Sequence, residues 1–188
     1  MKKSIFCVLS VAAIMGAVLT STAASAAVTA NARASSPAPG DPNTTVTFTV
    51  TVGALLMTAP ATGNLGSGAP GTTIVGPIGP ITVTDNRALL SAAWTATASS
   101  TAFTTGTGTP AEIVPVGDVG YGPGAVTTTG TITSTGTPIT LSGAATPVVA
   151  GTAGVGDNTA TWNPLLSVAV PASAVGGVYA GTLTQSVS

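Results

Sequence analysis

Thr45-Val46-Thr47-Phe48-Thr49-Val50-Thr51-Val52 alternates hydroxyl-bearing and apolar side chains without interruption. Neighbouring side chains of a β-strand point to opposite faces. A period of two therefore puts Val46, Phe48, Val50 and Val52 on one side and four threonines on the other. The spacing predicts a strand whose apolar side faces a core. Gly53 breaks the pattern, and Ala54–Thr58 is expected to continue it in a neighbouring sheet.

The same texture recurs downstream. Ile81-Thr82-Val83-Thr84-Asp85 alternates, as does the stretch in which Trp94, Ala96 and Ala98 interleave with Thr95, Thr97 and Ser99. Leu166, Val168 and Val170 share one face before Pro171, and Tyr179, Leu183 and Val187 share another. Shorter strands are expected near Ile74 and over 112–116, 125–133 and 138–141. Residues 59–80 read as a long loop, and 143–158 as a Gly-rich loop closing on a Gly156-Asp157-Asn158 turn. No segment sustains a 3.6-residue apolar period. Many short strands with frequent turns predict an all-β antiparallel β-sandwich of immunoglobulin-like shape.

Upstream of the first strand the chain changes character. Lys2 and Lys3 precede an apolar run from Ile5 to Leu19, and Ala24-Ser25-Ala26 supplies a small-residue cleavage pattern. Residues 1–26 are expected to be a signal peptide, since about 15 apolar residues fall short of the roughly 20 that span a bilayer. Residues 27–42 read as a flexible leader, and 43–188 as the single sandwich domain. The protein is thus expected to be secreted or held at the cell surface, with no transmembrane segment in its mature form.

Composition narrows the chemistry. The chain has 188 residues, with 4 Lys+Arg, 5 Asp+Glu, no His, one Cys and 5% charged residues. Once the signal is removed, Arg33 and Arg87 stand against Asp41, Asp85, Glu112, Asp118 and Asp157, with no Lys, Cys or His. That inventory excludes a His/Cys zinc site, a disulfide, a Lys–Asn isopeptide staple and a Ser–His or Cys–His nucleophile. It also excludes nucleic acid gripped by phosphate neutralisation. Five scattered carboxylates without an aromatic neighbourhood make a poor glycosidase, and no loop offers the oxygen ligands calcium needs. The expectation is no enzyme activity, no cofactor and no metal.

Three short segments resemble the WxL domain family of Gram-positive cell-surface proteins. They are Val83-Thr84-Asp85-Asn86-Arg87, then Trp94-Thr95-Ala96, and lastly Tyr179-Ala180-Gly181-Thr182-Leu183-Thr184-Gln185-Ser186-Val187. Ala96, Gln185 and Val187 stand where the family carries Leu, Trp and Leu. The resemblance implies an exported β-sandwich held non-covalently to the wall through peptidoglycan.

Five residues are candidates for wall or glycan contact, each with a structural alternative. Asp85 and Arg87 share the parity of Ile81 and Val83. They suit either a bidentate bridge at a strand end or recognition of a polar group. Trp94 and Trp162 are each either a core ring or a sugar-stacking platform. Gln185 shares the parity of Leu183 and Val187, so its amide needs a buried partner or an open end of the sandwich. The expected function is non-covalent association with cell-wall glycan or other surface proteins. The alternative is a self-assembling subunit of a surface fibre or layer that adds its first strand to a neighbour's sheet. An uncovered edge is usually defended by charges such as Lys, and here none is available.

Overall fold

A computed structural model describes residues 44–188. The expected signal peptide (1–26) and leader (27–42) lie outside the described residues. The strands are β1 Leu55–Thr58, β2 Thr73–Pro77, β3 Ile81–Ser100, β4 Phe103–Thr104, β5 Ile113–Val114 and β6 Val119–Gly122. They continue with β7 Val126–Thr129, β8 Thr133–Gly136, β9 Ile139–Thr140, β10 Thr146–Trp162, β11 Leu165–Ala169 and β12 Leu183–Val187.

Every pairing is antiparallel. The larger sheet is built on β3 and β10, which pair from Ile81↔Trp162 to Ala98↔Thr146. Each long strand carries two short ones end to end on its outer side. β1 and β12 line β3, while β7 and β8 line β10. The facing sheet runs β2-β11-β6-β9, and β4-β5 is a small separate ribbon. Between the two large sheets lie Ile81, Val83, Trp94, Ala96 and Trp162 from one side and Val119, Tyr121, Leu166 and Val168 from the other, all buried. The chain is an all-β antiparallel sandwich.

Two expectations about strand boundaries are corrected. The separate strands expected around Asp85 and Trp94 form one strand, β3, and most of the loop expected over 143–158 belongs to β10, the two pairing through an irregular ladder. The register shifts between Gly151 and Gly154, Gly154 and Gly156, and Gly156 and Asn158. Bulges absorb the extra residues, and a left-handed backbone at Ala88 (φ 51°) and Ala153 (φ 58°) lets both strands bend together. A short strand not anticipated, β6, supplies Tyr121 to the core.

The third correction is the first strand. Residues 44–54 belong to no strand, and Val46, Phe48, Val50 and Val52 are 80%, 86%, 70% and 64% exposed. The chain joins the sheet only where the Gly53 N–H donates to the Asn86 carbonyl (2.7 Å) and the Asn86 N–H to the Ala54 carbonyl (3.0 Å). Further along the same edge, Thr95 and Ser188 exchange N–H···O bonds of 2.8 and 3.1 Å. Ala93 has the parity of Thr95, so its carbonyl faces that edge too. It is already taken by Arg87 Nη2 at 2.9 Å. The guanidinium therefore caps one carbonyl of the β3 edge between β1 and β12.

Candidate functional site

Asp85 begins the charged cluster. It sits on β3 opposite Asn158 and is completely buried. Arg87 Nε donates to its Oδ1 and Nη2 to its Oδ2, both at 2.8 Å, and the Arg87 backbone N–H adds a 3.1 Å bond to Oδ1. The side-chain bonds from Arg87 hold the Asp85 carboxyl below its ordinary pKa against the opposing effect of burial, and they raise that of Arg87. The pair is a fork-to-fork bridge whose cation also closes the sheet edge.

Asn158 beside it works on the backbone. Its Oδ1 accepts the N–H groups of Thr131 and Ile132 at 2.9 and 3.1 Å, and its Nδ2 donates to the Gly156 carbonyl at 2.9 Å. It pins the turn before β8 onto β10. The sequence shows it only as the end of a turn signal.

Both tryptophans are buried, Trp94 at 4% and Trp162 at 1% exposure, so neither ring is a surface platform. Trp162 Nε1 donates to the Tyr121 hydroxyl at 3.0 Å, and that hydroxyl donates to Gln185 Oε1 at 3.1 Å. This chain of three links the two sheets and supplies the partner that the Gln185 amide needs. Burial pushes the Tyr121 hydroxyl up to about 12, the Trp162 bond acting the other way. The Gly-Tyr-Gly context of Tyr121 offers no alternation to mark it as a core residue.

The remaining polar groups serve each other. Glu112 Oε2 accepts the Thr109 N–H and hydroxyl, both at 2.9 Å, capping the 3-10 turn Pro110–Glu112. Those bonds hold its carboxyl below the ordinary range. On the outer face of the larger sheet, hydroxyls pair across strands: Thr82 with Thr161 (3.0 Å), Thr97 with Ser186 (2.9 Å), and Thr129 with Thr159. Among the described residues no three His, Cys, Asp or Glu side chains come together as a metal cluster. The outer face of the smaller sheet has a shallow depression of about 490 Å³ floored by Gly120, Gly122, Leu165 and Ser167. Its rim of Pro138, Ile139 and Thr140 brings no carboxylate.

No family model, curated protein or solved structure matches the chain.

The five candidate residues are therefore not gathered into one site. Asp85 and Arg87 pair with each other, Trp162 and Gln185 meet through Tyr121, and Trp94 packs in the core. Other exposed apolar side chains, such as Leu90 and Val178, lie apart in the sequence, whereas 46–52 is an alternating row of four. Its alternation marks it in the sequence, but its lack of a partner does not show there.

Proposed function

We propose that the chain is an exported, non-enzymatic structural subunit that joins other copies of itself by strand addition, residues 44–52 supplying the strand. One observation carries this reading. Phe103 and Tyr179 pack against the core and Trp94, Tyr121 and Trp162 lie within it, whereas Phe48 is 86% exposed. It stands among three valines of the same parity. Burying such a side chain is worth roughly 1.5–3 kcal/mol, and a row of four offers a continuous apolar strip to any sheet that accepts it. Strand addition also satisfies the segment's backbone, which has no ladder among the described residues.

Sedimentation velocity of the purified exported protein across a concentration series tests the proposal. The expected result is concentration-dependent association, abolished by Phe48→Asp with the unfolding midpoint unchanged. A wild-type chain that stays monomeric at the highest concentration sinks it.

The outer hydroxyl rows favour a second reading, non-covalent association with peptidoglycan, in line with the resemblance to WxL domains. A neutral face of Thr and Ser matches a polyhydroxylated glycan in chemical type. Pelleting of monomeric protein with isolated wall sacculi would favour it over assembly.

A further inference from the structure

We infer that the acceptor for residues 44–52 is the outer edge of β12 in a second copy of this chain; this rests on the strand-addition reading above. β12 pairs with β3 in unbroken register from Leu183↔Ser100 to Val187↔Ala96. Ser188 exchanges both bonds with Thr95, so Ser188, Ser186 and Thr184 aim their backbone groups at β3. Leu183, Gln185 and Val187 then aim their N–H and C=O groups outward. Among the described residues β12 has no partner other than β3.

The side chains report the same vacancy. Leu183, Gln185 and Val187 lie on the core side of the sheet, as the bond from Tyr121 to Gln185 shows, yet all three are only half-buried. Their ladder partners one strand further in, Ser100, Ala98 and Ala96, are 5%, 0% and 0% exposed. Leu55 and Met57, on the core side of β1 along the same edge, are half-buried as well. The sandwich stops one strand short on this flank. A strand with Val46, Phe48, Val50 and Val52 turned inward covers it, and its threonines then join the hydroxyl face that already carries Thr184 and Ser186.

The other edges fit less well. On β2, a Cβ at Gly68 would stand 2.7 Å from Ile74 Cγ1 and one at Gly76 would stand 3.2 Å from Leu65 Cα, so residues 65–68 already cover the core face that an added apolar row would extend. β9 is two residues long. β7 and β8 offer mainly Thr, Ser and Gly, and Gly136 abuts Pro123. Residues 183–187 contain no charge, proline or glycine to repel an incoming strand.

Pairwise cysteine cross-linking tests the assignment in a Cys7→Ser background. Proteins carrying Thr47→Cys, Thr49→Cys or Thr51→Cys are mixed with proteins carrying Thr184→Cys or Ser186→Cys and oxidised. Val75→Cys on β2 and Thr135→Cys on β8 serve as controls, and wild-type association is measured alongside. The expected result is mixed disulfides at residues 184 and 186 forming at least about tenfold faster than at the controls. Paired strands hold thiols at millimolar effective concentration. Association with preferential cross-linking to residue 75 or 135, or to none of the four, overturns the β12 acceptor while leaving strand addition standing. A wild-type chain that does not associate at all overturns both.

Discussion

The indole of Trp94 lies over Gly151, its cross-strand neighbour, so closely that a Cβ on Gly151 would stand 2.7 Å from the ring nitrogen. The large ring is admitted to a strand of alanines because the facing strand has no side chain at that point. Gly151→Ala should therefore overpack the core and cost about 1–3 kcal/mol, read as a lower urea midpoint with an unchanged slope. Trp94→Ala should cost about 3–5 kcal/mol, read as a large drop in the urea midpoint. A folded Trp94→Ala protein of near wild-type stability would show that the ring is not a core element.

Tyr121 joins the two sheets through Trp162 and Gln185. Tyr121→Phe keeps the ring but strands a buried indole N–H, at a cost of about 1–3 kcal/mol. The hydroxyl also gives an alkaline signature. Its folded pKa is raised to about 12, above the roughly 10 of an unfolded tyrosine. Its stabilising share is complete below pH 10 and is lost as pH rises toward 12. Urea unfolding between those pH values should show a decline that Tyr121→Phe abolishes.

Asp85 gives the opposite signature. Its pKa is lowered by Arg87, so its contribution is present above the unfolded value of roughly 3.9 and is lost as pH falls through the lower folded value. Acid titration of unfolding should show this loss, and Asp85→Asn should flatten it. Arg87→Met leaves a buried carboxylate without its partner and should cost about 3–5 kcal/mol near neutral pH. Restoring much of that stability with Asp85→Asn in the same chain would confirm the pairing.

Ala153 adopts φ 58° at the bulge in β10, where its Cβ crowds its own backbone. Ala153→Gly should stabilise the fold by about 1 kcal/mol, the left-handed penalty outweighing the added flexibility of glycine. Differential scanning calorimetry would record a higher Tm. A lower Tm would mean that this methyl group makes packing contacts worth more than the strain.

The faces of the sandwich were legible in the sequence because a period of two dictates which side chains share a side. Ile81, Val83, Ala96 and Ala98 all lie in the core, and Thr82, Thr95 and Thr97 on the opposite face. Alternation does not name a strand's partner, however. Residues 45–52 carry the same pattern as Ile81–Asp85, and only the latter has ladders on both sides. The bends at Ala88 and Ala153 were equally hidden, since alanine carries no turn signal. For the candidate site, the forked spacing of Asp85 and Arg87 was readable from parity alone. The bond between Tyr121 and Gln185 joins residues 64 positions apart and needs the folded sheets to exist.

Arg87 is the sole Lys or Arg among the described residues, and its Nε and Nη2 both bond within its own strand. The second bond from Nη2, to the Ala93 carbonyl, satisfies an acceptor on β3 that no strand covers. One side chain thus both neutralises a buried carboxylate and caps a carbonyl on the edge of β3.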